Sequence, residues 1–338
     1  MENDIYQSEP NLLAEAYRNQ CNVQKPRRIE KNMDFLDINN DGLFLLGTSS
    51  LSGRIWSGSI WVFNTFPSVP NIESSIAGID FETGVAVGLW SNNKNVVIGS
   101  DSGSLHHLTL DIQTDSKTKP YFRINGVVTE HDDSIVALDL MKNMSKIISG
   151  GMDMNIKIWD EETLLCEKSY CPAHGHIVTS VSSQKHHSDI FVSTSLDRTS
   201  LMWDTRLEKP ASLLIENECG YTSSSWVDND CVILGSNDGS LSIIDLRAKQ
   251  VLDTNFCSQR PIFKLLYNGA FQIVAVCADD PSVHAFSVKG KKLTEVYTSK
   301  ERHKDFVRGL AWDTSLKTLY SCGWDSKVLQ HNMSEEYI

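Results

Sequence analysis

Three observations predict an all-β fold, a single seven-bladed β-propeller: a hairpin pattern that recurs seven times, a nearly constant spacing between its copies, and an apolar strand ahead of each copy. The clearest hairpins are VVIGSDSGSLHHLTL (96–110), IISGGMDMNIKIWD (147–160), FVSTSLDRTSLMWD (191–204) and VILGSNDGSLSIIDL (232–246). Each joins a β-branched run to an alternating strand through a turn of small residues and Asp, which is hairpin chemistry. Weaker copies are SGSIWVFN (57–64), IVAVCADDPSVHAFSV (273–288) and LYSCGWDSKVLQHN (319–332).

Aligned on the turn, the copies fall at Ser57, Ser102, Asp153, Asp197, Asp238, Asp280 and Asp325, with steps of 45, 51, 44, 41, 42 and 45 residues. That is the period of the WD40 repeat, which supplies four strands per blade. A polar insertion, QTDSKTKP (113–120), accounts for the longest step. Ahead of each hairpin lies a strand to face the ring's centre: MDFLDI (33–38), VAVGLW (85–90), IVALDL (135–140), VTSVSS (178–183), YTSSSW (221–226), IFKLLY (262–267) and VRGLAW (307–312). An outer strand follows in units one to six, as in ASLLIE (211–216), but the sequence stops soon after unit seven. The segment Cys21–Lys25 is therefore expected to add the last strand and close the ring, since open sheet edges invite foreign pairing. The propeller is assigned to residues 26–333, between an N-terminal segment (1–25) and a short tail (334–338). NLLAEAYRNQ (11–20) has the composition of a short helical turn, and KPRR (25–28) suits either a nuclear-import signal or a solvated turn.

Composition narrows the function. The net charge of −12 repels nucleic-acid phosphates and attracts Arg- and Lys-rich chains, so the expected ligand is protein and not DNA or RNA. No run of about 18 apolar residues is present to span a membrane, and MENDIYQSEP lacks the pattern of a secretory signal. Eight scattered cysteines without a CxxC motif read as reduced thiols. The expected compartments are cytoplasm and nucleus.

Several blades carry His, Ser, Asp and Trp at repeat spacing: His131, Ser149, Asp153 and Trp159; then His174, Ser193, Asp197 and Trp203; then His303, Ser321 and Asp325, with His331 in place of the Trp. Ser, His and Asp together suit a hydrolase triad. An active site appears once, however, whereas this set recurs, so it reads as buried polar chains that tie each blade together. Cys166, Cys171, His174 and His176 match no standard zinc spacing. No phosphate-binding loop, dinucleotide fingerprint or nucleophile elbow occurs. The expectation is no enzyme activity, no cofactor and no metal.

One turn breaks the pattern. In unit two, four positions separate Gly99 from Gly103; in unit one, eleven separate Gly47 from Gly58. The seven extra residues are expected to make a projecting loop, SSLSGRIWSG (49–58), framed by Gly53 and Gly58. It presents Leu51, Ser52, Gly53, Arg54, Ile55 and Trp56, and Trp with Arg is the pairing that dominates protein interfaces.

The strings LLGTSSLSGRIWSGSIWVF (45–63), KIISGGMDMNIKIWD (146–160), FVSTSLDRTSLMWDTRLEKPAS (191–212) and HKDFVRGLAW…GWDSKVLQH (303–331) carry a family resemblance. Over nearly the whole chain it resembles the WD-repeat subunits of the methylosome, non-catalytic partners of protein arginine methyltransferase 5. The resemblance implies a hetero-octamer of four plus four, in which the propeller binds the enzyme's TIM-barrel domain. It also implies that the loop Trp, here Trp56 with Arg54 beside it, inserts into the enzyme, and that the subunit helps engage Arg-rich tails of histones and Sm proteins. Residues 1–32 depart from the family's Pro-rich start. The alternative is a stand-alone acidic propeller that reads or chaperones basic histone peptides.

Overall fold

The computed structural model describes residues 28–52, 55–112, 119–141, 145–185, 187–313 and 318–333. They form seven antiparallel sheets, each built from strands consecutive in sequence. Blade one contains β1 (Asn32–Ile38), β2 (Phe44–Ser52), β3 (Ile55–Phe63) and β4 (Ala77–Phe81). Blades two to six also have four strands, and blade seven has three among the described residues. The inner strands begin and end within one residue of the expected segments: Asn32–Ile38, Val85–Trp90, Ile135–Met141, Val178–Ser183, Tyr221–Trp226, Ile262–Asn268 and Val307–Asp313.

Burial explains the residue types of each strand. The second strand of a blade is covered on both faces by neighbouring blades, so Cys231–Ser236, Ile273–Ala278 and Thr318–Gly323 are buried throughout. Alternation disappears there because no face meets water. Outer strands such as Gln250–Phe256 expose most of their residues and turn polar. Inner strands are intermediate, with one face packed and the other lining a central channel. Blades one and two mesh through Phe35, whose ring fills a slot where Gly47 and Gly88 have no side chains; a Cβ at either would lie 2.0 or 2.4 Å from it.

The seam of the ring lies between blades seven and one. The expected closing strand at 21–25 and helical turn at 11–20 fall outside the described residues. What the structure displays at the seam is packing: Met33, Leu36, Phe44, Leu46, Trp61 and Phe63 share one buried cluster with Ala311, Tyr320, Cys322 and Val328. The Tyr320 ring meets Phe44 edge-on at 5.0 Å. The Trp324 indole donates to Asp34 Oδ1 at 3.0 Å, and Ser326 Oγ donates to the Lys31 carbonyl at 3.0 Å.

Candidate interaction surface

The recurrent polar residues do meet. In blade three His131 Nδ1 lies 2.9 Å from Asp153 Oδ2, and His131 Nε2 lies 2.7 Å from Ser149 Oγ. The Trp159 indole donates to the same hydroxyl at 2.8 Å. Blade four repeats this with His174–Asp197 at 2.9 Å, His174–Ser193 at 2.6 Å and Trp203–Ser193 at 2.7 Å. Each group has one role: Trp donates to Ser, Ser to His Nε2, and His Nδ1–H to Asp. Ser149 and Ser193 are fully buried, with the hydroxyl proton committed, so neither has the access an attacking nucleophile needs.

Blade seven reaches the same end by another route. His303 contacts Asp325 at 3.0 Å and Ser321 at 2.7 Å, and His331 Nε2 lies 2.7 Å from Ser321 Oγ. Tyr297 OH stands 3.0 Å from His331 Nδ1. With the proton on Nε2, His331 donates to Ser321 as a Trp would, while Tyr297 donates to its other nitrogen. Burial pushes the His331 imidazole down to about 3, and it also lowers His174 and His303 against the pull of their aspartates. Burial by itself raises the Asp153 carboxyl, but the imidazole of His131 and the amides of Asn155 and Asp132 outweigh it and hold it at about 2.

The blade-one turn differs from the expected loop. β2 and β3 stay paired to their ends: Ser49 with Gly58, Ser50 with Ser57, Leu51 with Trp56 and Ser52 with Ile55. The seven extra residues therefore lengthen a hairpin and do not enlarge a loop. The ladder keeps one register, without a bulge, through the Ser52–Ile55 pair. Gly58 frames nothing; a Cβ there would lie 2.7 Å from the Thr83 carbonyl oxygen, so its role is close passage beside blade two. The neighbouring strands stop short, β1 at the Asn32–Ser49 pair and β4 at the Gly58–Phe81 pair. Beyond them the ribbon stands clear of the sheet, and Trp56 is 58% exposed. Gly53, Arg54 and the side chains of Leu51, Ser52 and Ile55 lie outside the described residues.

Residues 123–160 and 294–332 match the family described as WD domain, G-beta repeat. Over 321 residues the chain is 30% identical to a methylosome protein, WDR77, of Xenopus laevis, with 93% of each chain covered. The chain belongs to the family of methylosome WD-repeat subunits. Members of this family are WD40 scaffolds without catalysis of their own, and that is the class of this subunit. A more distant relative, WD repeat-containing protein 37 of Xenopus tropicalis, is 23% identical over 60% of this chain and 42% of its own length. A chain in a crystal structure of the mitotic checkpoint complex superposes with a TM-score of 0.71 at 14% identity, covering 90% of this chain and 91% of that one, a likeness of fold alone.

Within this methylosome-type subunit the inner strands of all seven blades enclose a channel with a cavity of about 1160 Å³. At the end from which the blade-one hairpin rises, its mouth is lined by Asp34, Ser49, Asp101, Arg308 and Trp324. Sequence reasoning missed this cluster because its members come from different blades. The one signal was the Trp324-Asp325 pair, which sits in a turn instead of at the end of a third strand.

Cys231, Cys277 and Cys322 are buried, and burial lifts the Cys277 thiol to about 12. Among the described residues no group of three His, Cys, Asp or Glu is placed to hold a metal ion, and no helix is long and apolar enough to cross a membrane.

Proposed function

We propose that this subunit docks a symmetric-dimethylating protein arginine methyltransferase through the blade-one hairpin and helps it engage Arg-rich tails such as those of histones and Sm proteins. The observation that carries this reading is Trp56, an exposed residue on a paired two-stranded ribbon beyond the edge of its blade. Backbone pairing on both sides lowers the entropy cost that a partner would meet on an open loop. The net charge of −12 supports the second half of the proposal, since an acidic ring speeds the approach of basic tails and disfavours acidic ones. The enzyme supplies the chemistry; this chain contributes assembly, by family resemblance four copies with four of the enzyme, and local substrate concentration.

Co-expression with the cognate methyltransferase, followed by size-exclusion chromatography with light scattering, tests the proposal. Wild-type chain should form a large complex that weakens with Trp56→Ala. An undiminished complex in the variant would remove the hairpin from the interface. Absence of a complex with the wild type would sink the docking role and leave a stand-alone reader of basic peptides. Binding of S-adenosylmethionine by the isolated chain would contradict the assignment of all chemistry to the enzyme.

A further inference from the structure

The seam of the ring gathers positive charge on a chain that is acidic overall. Lys31 leads into blade one, the stretch 300–304 (KERHK) leads into blade seven, and Lys327 lies in the turn between that blade's second and third strands. Their backbones are tied together. The amides of Lys304 and Lys327 both donate to the Asp325 carboxylate, at 3.0 and 3.2 Å, and the Ser326 hydroxyl donates to the Lys31 carbonyl at 3.0 Å. The stems of Lys31, Lys304 and Lys327 therefore start around one turn, at the end of the ring from which the hairpin rises.

Little around them answers this charge. Asp325 is buried and engaged by His303 and the two amides. Asp305 accepts from the Phe306 amide at 2.9 Å through one oxygen and stands 3.9 Å from the Lys31 ammonium through the other. Among the described residues Lys300, Lys304 and Lys327 form no ion pair, and the Arg302 guanidinium donates to the Gln330 carbonyl at 2.7 Å. The uncancelled field reaches into the blade. Burial is the main cause that lowers the His303 and His331 imidazoles; Arg302 lowers both further, and Lys327 adds to the effect on His303. Beside the lysines Phe306 is 37% exposed, its ring edge-on to Trp324 at 5.7 Å.

Unpaired ammonium groups around one turn, next to an exposed ring, are the chemistry that receives carboxylates carried beside an apolar side chain. We propose that this seam face docks an acidic segment of a partner protein, with its carboxylates on Lys31, Lys304 and Lys327 and an apolar side chain against Phe306. A short peptide is favoured over a nucleic acid because the cations form a compact group instead of a track, and the net charge of −12 opposes a long polyanion. At physiological salt that wider field is screened beyond about 8 Å, so the local lysines govern a short ligand. The sign of its charge separates this ligand from the basic tails of the proposed function, and the site does not depend on how Trp56 is used.

The test is fluorescence anisotropy on the full chain at near-physiological salt, with a labelled Glu-rich peptide that carries one central Phe. The same peptide with Gln for Glu is the neutral control, and an oligothymidylate of matching charge tests the nucleic-acid alternative. The glutamate peptide should bind saturably. The glutamine exchange and the double variant Lys304→Glu with Lys327→Glu should each weaken it about tenfold or more, and Phe306→Ala about threefold. Lys249→Glu with Lys289→Glu, the same charge change on exposed lysines at the opposite end of the ring, should leave binding within about twofold. Equal loss in that pair, equal binding of the glutamine peptide, unaltered binding by Phe306→Ala, tighter binding of the oligothymidylate, or no saturable binding overturns the proposal. Asp325 is held by the lysine amides and not by their side chains, so the charge-reversed chain should melt with the wild type; if it does not, Lys304→Met with Lys327→Met takes its place.

Discussion

Blades one and two turn the same corner in opposite ways. In blade two the turn closes on itself: Ser100, Ser102, Ser104 and Thr129 pass hydroxyl bonds along a chain at 2.9, 3.0 and 2.7 Å. Gly103 completes the turn with φ of +76°, a left-handed backbone in a spot where a Cβ would lie 2.3 Å from the His131 carbonyl oxygen. The hydroxyls there are spent on one another. Blade one inserts seven residues at that point and continues both strands past their neighbours, with Trp56 at the far end. The lesson is that residues inserted at a hairpin turn can continue both strands instead of widening the loop.

The comparison can be broken outright. Deleting residues 51–57 leaves TSSGS in blade one where blade two has SDSGS, with Gly58 at the position of Gly103. The shortened chain should melt close to the wild type, because the removed pairs lie beyond the blade's core, yet it should form no complex with the methyltransferase on size-exclusion chromatography. If assembly survives the deletion, the arm has no part in it. Trp56→Ala is milder: truncating a central aromatic anchor is expected to cost about 2–4 kcal/mol of complex stability, readable by calorimetry, with the melting temperature unchanged.

Acid separates the two blades by sign. Burial lowers the blade-two imidazoles His106, to about 4, and His107, so the folded chain keeps them neutral. Unfolded histidines titrate near 6.5. Between those values the unfolded chain holds more protons, so stability is lost as pH falls from 6.5 toward 4, by up to about 3 kcal/mol for a shift like that of His106. Asp34 in blade one works the other way. Its carboxyl is raised to about 7, so the folded chain holds the extra proton between 3.8 and 7 and stability falls as pH rises through that range. Denaturant unfolding across pH 4–7 should therefore steepen in Asp34→Asn and flatten in His106→Phe. The same slope in all three proteins would falsify both assignments.

The smallest effects contrast the buried chains with the exposed turn. Ser149→Ala strands the His131 nitrogen and the Trp159 indole inside blade three and should cost about 1–3 kcal/mol. Ser102→Ala, in a turn that water reaches, should cost under about 1 kcal/mol. Equal losses would mean that burial does not set the worth of these hydroxyls.

Much of this was legible along the chain. A WD-type blade is a local unit, so four strands and a turn recur wherever their residues recur, and the seven inner strands could be placed from short apolar segments. The His–Ser–Asp sets were equally readable, because repetition itself argues against an active site. His331 could be seen to replace a Trp, but its work could not; that needed Tyr297, a residue of blade six, to accompany it.

Sequence alone thus determined the number of blades, the order of their strands, the acidic balance and the position of the one turn that differs. The tertiary structure decided that this turn is a ladder and that Asp34 shares a channel mouth with Trp324, 290 residues away. The physical reason is range. Strand periodicity and turn chemistry act over a few residues and leave a trace in each repeat. The channel mouth and the seam exist only because the ring brings blade seven back to blade one, and no local pattern records which side chains then stand face to face.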